Sequence, residues 1–532
     1  MRLNRSLLAH RSGRARVAPA GDAALDAALI AGGDARLAID PRTHMNPYGA
    51  QPRPRPDEIS LSSSTASTIS PRGYAAARAA FDRLEHARAG GRLAPAFAQM
   101  ADDLRDEIRS QLDLPDAEVV LAPSGTDSAL QALFLARGLL GRPVTSIVVA
   151  ADESGNGLPA AASGRHFADA ASGGRVVTKG EPIAGLACAA VSIWGRNAHG
   201  RARPAAEIDA EVASSAAGAV AAGNGVVLHV MDHSKLGSRV PSLACVREIC
   251  ALAPGAVQVV VDACQGRLGR TEMRRYLDQG FIVLLTGSKF YAGPPLSGAL
   301  LVPEALIAGI ERIADVPDGL ADYSARDDWP SCFGRIRDRL PARTNVGQAL
   351  RWIAAIEEIR AYFAVPELFR RFALVEFAAA AARQIARHPE LALLAELHAS
   401  RADGDVEGDE FSARTILPFT VTRAGRPLDL AQARVLHQAL NRDGAALGLA
   451  DPLAMTPCHI GQPVALADGA GGSIGALRIS ADARLVSDSW AGAGDLVSTA
   501  RLTARIGQIA TVFEKLRFLV SQLDRLDCIR TS

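Results

Sequence analysis

Lysine is almost missing from this chain. Lys179, Lys235, Lys289 and Lys515 are the only four among 58 Lys and Arg side chains, so arginine supplies nearly every cation. A lysine retained in such a background invites a reason. An amine can lose its proton and act as a nucleophile, which a guanidinium cannot do. Other absences narrow the possibilities. No stretch approaches the ~20 uncharged apolar residues of a membrane-spanning helix. The formal charge of +1 offers no bulk attraction to nucleic acid or to an acidic membrane. The seven cysteines (188, 245, 250, 264, 332, 458 and 528) are odd in number and lack paired CxxC spacing. They read as reduced thiols of a cytoplasmic protein, not as a disulfide frame or a zinc site. No GxGxxG turn opens a strand–helix unit, which weighs against a nucleotide-binding dehydrogenase. No internal repeat is present either.

What is present suits a large folded body. With 532 residues, 48% of them apolar, the chain exceeds what one core usually serves. The first 21 residues carry Arg2, Arg5, Arg11, Arg14 and Arg16 with no acid before Asp22. Without an apolar core or a clear cleavage site, they read as a disordered arm and not as a targeting peptide. Residues 47–56 are proline-rich, as in a linker lying over a folded body. The division expected is an N-terminal arm over 1–57, a large domain over 58–335 and a smaller α+β domain over 336–532.

From residue 118 onward, short apolar runs alternate with helical patterns. Strands are predicted over 118–122, 146–150, 186–193, 225–231, 257–261 and 281–285, with helices over 126–140, 205–221, 243–252 and 271–279. Near-continuous apolar strands imply burial on both faces, hence a mostly parallel sheet flanked by helices. After residue 302 the pattern changes: helices are predicted over 346–363, 368–386 and 430–442, strands over 414–421 and 477–480, and closing helices over 495–527. The fold class is α/β.

Ligands of such sheets sit beyond the carboxyl ends of the strands, and three informative segments fall there. Ser124-Gly125-Thr126 joins a strand to a helix, where the first amides and the helix dipole favour a phosphate. The same residues also suit an ordinary N-cap. Asp262 closes the run Val259-Val260-Val261, and Lys289 follows the apolar run 281–285 inside Thr286-Gly287-Ser288-Lys289-Phe290. A strand-end acid with a loop lysine is what pyridoxal phosphate requires: the acid keeps the pyridine nitrogen protonated, and the amine forms a Schiff base. Gln265, on the same loop as Asp262, is placed to hydrogen-bond the ring hydroxyl.

The runs SGTDS, VVVDACQG and TGSKFYAGPPLSG together resemble fold-type-I pyridoxal-phosphate enzymes, and most closely the class V aminotransferase and cysteine desulfurase group. The resemblance spans roughly residues 59–485, with further motifs in the expected order at 59–66, 232–237, 343–345 and 476–480. It implies that Gly125, Thr126, Thr286 and Ser288 hold the phosphate. It implies that Asp262 and Gln265 grip the ring and that Lys289 carries the cofactor covalently. Thr344 would reach the phosphate of a partner subunit in a homodimer, and Arg478 would clamp a substrate carboxylate. The implied activity is that of an aminotransferase acting on an amino acid or related amine. Carbon–sulfur cleavage, desulfuration, decarboxylation and a catalytically silent binding protein of the same fold are the alternatives.

Two departures stand out. Ser288 occupies a place where the group usually has histidine. After residue 150 the segment Asp152-Glu153-Ser154-Gly155-Asn156-Gly157 lacks the usual stacking aromatic, leaving Ser154 at or near that place and His166 and Trp194 unassigned. Cys458 lies two residues before Ile460, which holds the position of the desulfurase nucleophile. It is read mainly as a buried structural thiol. His233 is a second choice as a proton carrier, His459 reads as a packing histidine, and residues 322–329 form either a substrate loop or an ordinary exposed loop.

Overall fold

The computed structural model describes residues 20–395, 410–492 and 496–526. Arg2, Arg5, Arg11, Arg14, Arg16 and Cys528 lie outside the described residues, as does the end of the predicted 495–527 segment. In chain order the strands are β1 (Ile59–Leu61), β2 (Glu118–Ala122), β3 (Val144–Val149), β4 (Ala189–Ile193), β5 (Gly225–Met231), β6 (Val257–Asp262), β7 (Ile282–Thr286), β8 (Gly298–Val302), β9 (Leu391–Leu393), β10 (Ile416–Arg423), β11 (Arg426–Pro427), β12 (Cys458–Ala467) and β13 (Ser473–Ser480).

Seven strands form the large sheet, in the order β2-β8-β7-β6-β5-β3-β4. The pairs from β7 through β4 are parallel, and β8 runs antiparallel between β2 and β7. Alternate side chains feed two cores. Val119 and Leu121 face one cluster and Val120 the other; Val226 and Leu228 likewise oppose Val227. Both faces are therefore covered, as the unbroken apolar runs require. The expected α/β class with a mostly parallel sheet is what the chain adopts.

The sheet aligns the ends that matter. Ala122 and Thr286 both pair with Gly298, so the carboxyl ends of β2 and β7 flank the start of β8. One strand further on, Asp262 pairs with Leu284 and with Met231. The loops after β2, β5, β6 and β7 thus open at a single edge.

The second sheet runs β1-β12-β13-β10-β11, with β9 also on β10. Residues 59–61 pair in parallel with Cys458, His459 and Ile460, because Ile59 and Leu61 find their burial on that sheet's edge. Two helices without sequence forecast follow, Pro71–Ala89 and Leu93–Leu112, and both pack on the helix Val346–Phe363. Ser70 caps the first, its Oγ accepting from Gly73 N, with Pro71 at the first helical position. The predicted closing helices are one long helix, Leu496–Ser521.

The described part of the N-terminal segment is firmly docked. Leu25 and Leu29 of the helix Ala20–Leu29 are buried. Arg351, fully buried on the helix Val346–Phe363, donates to the carbonyls of Leu29 (3.0 Å), Ala31 (2.6 Å) and Gly32 (3.0 Å). Further along, His459 Nε2 lies 2.8 Å from Tyr48 O, and Gln462 Nε2 donates to Pro47 O at 2.5 Å.

Candidate active site

The turn after β2 is shaped by its cap. Ser124 Oγ accepts from Asp127 N (3.3 Å) and donates to Asp127 Oδ2 (2.5 Å). Asp127 is buried and also accepts from Ser172, and burial pushes its carboxyl up to about 6. The helix Gly125–Leu140 makes its first backbone bond at Ser128 N, to Ser124 O, so the amides of Gly125 and Thr126 precede the intrahelical ladder. Both residues line a cavity of about 510 Å³. Two glycines keep the turn close to the sheet. A Cβ at Gly298 would lie 2.3 Å from the carbonyl carbon of Ser124, and one at Gly125 would lie 2.5 Å from Cys264 Sγ.

Asp262 and Lys289 line the same cavity. Asp262 Oδ1 accepts from Cys264 N at 3.1 Å, which holds the carboxylate on its loop. Burial lowers the affinity of the Lys289 amine for its proton; the Asp262 charge opposes this, while the Arg478 and Arg267 charges add to it. Thr286 and Ser288 complete the wall. The Thr286 hydroxyl already donates to Cys264 O at 2.6 Å, so of these two Ser288 is the one left to donate to an anion.

Of the sequence-predicted site residues, Gly125, Thr126, Asp262, Thr286, Ser288, Lys289 and Arg478 meet in this one cavity. Gln265 and Thr344 are not among its lining residues. Gln265 turns away, its Nε2 donating to Ser64 O (3.2 Å) and its Oε1 accepting from Arg267 Nη1 (3.1 Å). Arg478 lines the wall with its donors engaged. Nε and Nη2 donate to Gln462 O (3.0 and 2.6 Å), Nη2 to Thr65 Oγ1 (2.8 Å), and Nη1 to Ser64 O and Lys235 O (3.3 Å each). Burial lowers its guanidinium to about 9, which still leaves it a cation at neutral pH.

Arg36, Lys235 and Asn156 are among the cavity residues to which the sequence reading gave no role. Arg36, from the N-terminal segment, donates from Nη2 to Ser124 Oγ at 3.0 Å. No local pattern marks it. Lys235 lines the wall and donates from Nζ to Asn156 Oδ1 at 2.6 Å. The scarcity of lysine applied to Lys235 as much as to Lys289 and was the signal for it. Asn156, two residues beyond Ser154, faces the cavity, whereas Ser154 Oγ donates back to Ala151 O at 2.8 Å.

The remaining candidates lie elsewhere. His233 Nε2 accepts from Arg239 Nε (2.9 Å), which leaves the Nδ1 proton for Asp232 Oδ2 (2.8 Å). Burial, then Arg239, brings His233 down to about 3, so it stays neutral and does not line the cavity. Cys458 is buried in β12, its thiol 3.4 Å from Thr456 O and pushed up to about 11 by burial. His459 is buried against Tyr48, and Trp194 is exposed. Residues 322–329 are no exposed loop: Tyr323, Ser324 and Trp329 are buried, Trp329 Nε1 donates to Ser324 Oγ (2.8 Å), and Tyr323 meets His166 Nδ1 (2.6 Å).

No protein-family model matches the chain, and no curated protein matches it. Several solved structures are similar in overall arrangement at low identity. The cystine C–S lyase C-DES, in complex with its product cysteine persulfide, superposes with a TM-score of 0.48 and 14% identity, covering 84% of this chain and 97% of that one. Apo mouse CSAD gives 0.46 and 16%, covering 84% and 82%. The ureidoglycine–glyoxylate aminotransferase pucG from Bacillus subtilis gives 0.46 and 12%, covering 87% and 98%.

Proposed function

We propose that this chain is a pyridoxal-phosphate-dependent enzyme acting on an amino acid or related amine, with transamination as its reaction. The observation that carries the reading is the meeting of Lys289 and Asp262 in one cavity headed by the amides of Gly125 and Thr126. The donor set fits the cofactor. The helix amides and Ser288 suit its phosphate, a buried carboxylate suits its protonated ring nitrogen, and a buried amine suits its aldehyde. Ser64 Oγ, buried on the same wall with no hydrogen-bond partner among the described residues, adds a vacant polar group. When bound, this cofactor supplies an electron sink for charge developing on the substrate carbon.

The chain's own residues supply the rest. Gly125, Thr126 and Ser288 bind the phosphate, and Arg36 adds a guanidinium beside Ser124. Asp262 faces a ring cation; at an effective dielectric near 20 and ~4 Å, such a pair attracts by ~4 kcal/mol before desolvation. Lys289, its proton affinity lowered by burial, would hold the cofactor's aldehyde and, once released, carry a proton at the substrate carbon. Desulfuration through Cys458 is not favoured, because that thiol is buried away from the cavity. Thr344 and a homodimer belong to the same proposal through the family resemblance.

The protein reconstituted with pyridoxal phosphate should be yellow and lose that colour on addition of amino donors. Borohydride reduction should fix the cofactor's mass on the peptide bearing Lys289. Lys289→Ala should lower turnover by about 10³-fold or more. A colourless protein, or label on another residue, contradicts the proposal.

A further inference from the structure

We infer that Lys235, and not Arg478, is the cation that receives the substrate's carboxylate, so that the site selects amino acids by an ammonium–carboxylate contact. The inference rests on the function proposed above and identifies the feature of the substrate that is recognised.

Arg478 has little left to offer an incoming anion. A guanidinium carries five N–H donors, and here they go to Gln462 O twice, to Thr65 Oγ1, to Ser64 O and to Lys235 O. Redirecting them would leave buried carbonyls without partners, which costs more than an exposed bond returns. Arg478 is a brace joining β12, β13, the 64–65 turn and the 232–238 loop.

Lys235 is the converse case. Among the described residues its ammonium makes one hydrogen bond, to Asn156 Oδ1, which leaves two of its three protons for a ligand in the cavity. Its backbone is fixed from both sides: Lys235 N donates to Glu153 O at 3.0 Å, and Lys235 O accepts from Arg478. Glu153 is itself locked in a buried pair with Arg196 (Nε to Oε1, 2.6 Å) and accepts from Ser234. Ser234 Oγ in turn accepts from Leu236 N (3.0 Å) and Ser238 N (2.9 Å). A loop held in this way presents a side chain at a defined place, as a binding residue requires.

The charges around Lys235 also favour an anion. It faces Asn156 from the turn after β3, Asp262 at the end of β6, Lys289 after β7 and Arg478 on β13. Two cations stand against one acid. Burial first, and then Arg478 and Lys289, hold the ammonium down to about 7, and Asp262 opposes them. A carboxylate beside Lys235 relieves that repulsion and requires the protonated amine.

The test uses protein reconstituted with pyridoxal phosphate and follows the cofactor's absorption. Glycine is titrated against methylamine, the same amine without its carboxylate, and acetate is added as a competitor of glycine. Lys235→Met should weaken glycine and acetate by about tenfold or more, and methylamine by less than about twofold. Lys235→Arg should restore glycine binding and acetate competition, because a guanidinium is also a cation. Unchanged glycine binding in Lys235→Met overturns the inference, as does an equal loss for glycine and methylamine. A fall in kcat with glycine affinity intact also overturns it, and makes Lys235 a proton carrier. A wild-type protein that never develops the cofactor band defeats the reading beneath it. A normal band with unaltered glycine binding in Lys235→Met defeats the inference alone.

Discussion

A chain with four lysines divides them between a cavity and a core. Lys179, Lys235 and Lys289 line the cavity, where a titratable amine matters. Lys515 sits fully buried on the helix Leu496–Ser521, where its ammonium donates to Leu440 O (2.9 Å), Arg442 O (2.7 Å) and Thr456 O (2.7 Å). Three compact, rotatable donors close three carbonyls around one point, a geometry the flat guanidinium fork does not match. Lys515→Met should remove all three bonds and destabilise the protein by about 3 kcal/mol. Urea unfolding measures this, and the cofactor band should persist. A stability change below about 1 kcal/mol would show that water replaces the ammonium there. Lysine scarcity was thus a sound guide to importance in the sequence, but it did not separate a reactive amine from a structural one. Strand-end context singled out Lys289; only its neighbours in space identify Lys515.

At the scale of elements, the cavity depends on how closely the turn after β2 approaches β8. Gly298→Ala places a Cβ 2.3 Å from the Ser124 carbonyl carbon, and that neighbour is backbone, so the turn itself must move. The change should cost about 2 kcal/mol of stability and weaken pyridoxal-phosphate binding by about tenfold, read by spectral titration. Gly218→Ala is the contrast. Its Cβ meets nothing within 4 Å on the helix Ala205–Ala221, and it should gain about 0.5–1 kcal/mol. Equal cofactor affinity in the two variants would separate the turn from the site. The large-sheet strands from β2 to β7 were legible because each is a short apolar run, and all but β7 lead into a helix. The helix Pro71–Ala89 was not, since its alanines and arginines form only a faint apolar stripe. β12 was hidden by Gly461 and Pro463, which fall where its register with β13 shifts.

Over the whole molecule, buried ionisable groups in the large sheet and in the helices beside it couple the fold to pH. His229 stands in the middle of β5 with neither ring nitrogen hydrogen-bonded among the described residues, and burial brings it down to about 4. A histidine whose folded pKa lies below its unfolded value contributes fully above pH ~6.5, and that contribution is lost as the pH falls. At pH 5 the loss is about 2 kcal/mol. Asp127 and Asp328, both pushed up to about 6 by burial, act with the opposite sign and favour the fold more as pH falls below 6. His229→Leu isolates the histidine's share. Its stability relative to wild type should improve by about 2 kcal/mol between pH 7 and pH 5, measured by urea unfolding. A difference that does not change with pH would contradict a neutral buried imidazole.

The sequence alone determined the run of strands in the large sheet and the placing of Asp262 and Lys289 at strand ends. Apolar periodicity and turn residues act over a few positions, and those are readable in order along a chain. Tertiary structure decided who shares the cavity with them. Arg36 lies 88 residues from Ser124, Arg478 spends its donors on partners as far as 414 residues away, and Gln265 gives its amide to the Ser64 carbonyl. Such contacts follow from which buried donors and acceptors must satisfy one another once the layers have packed, and no local pattern carries that information.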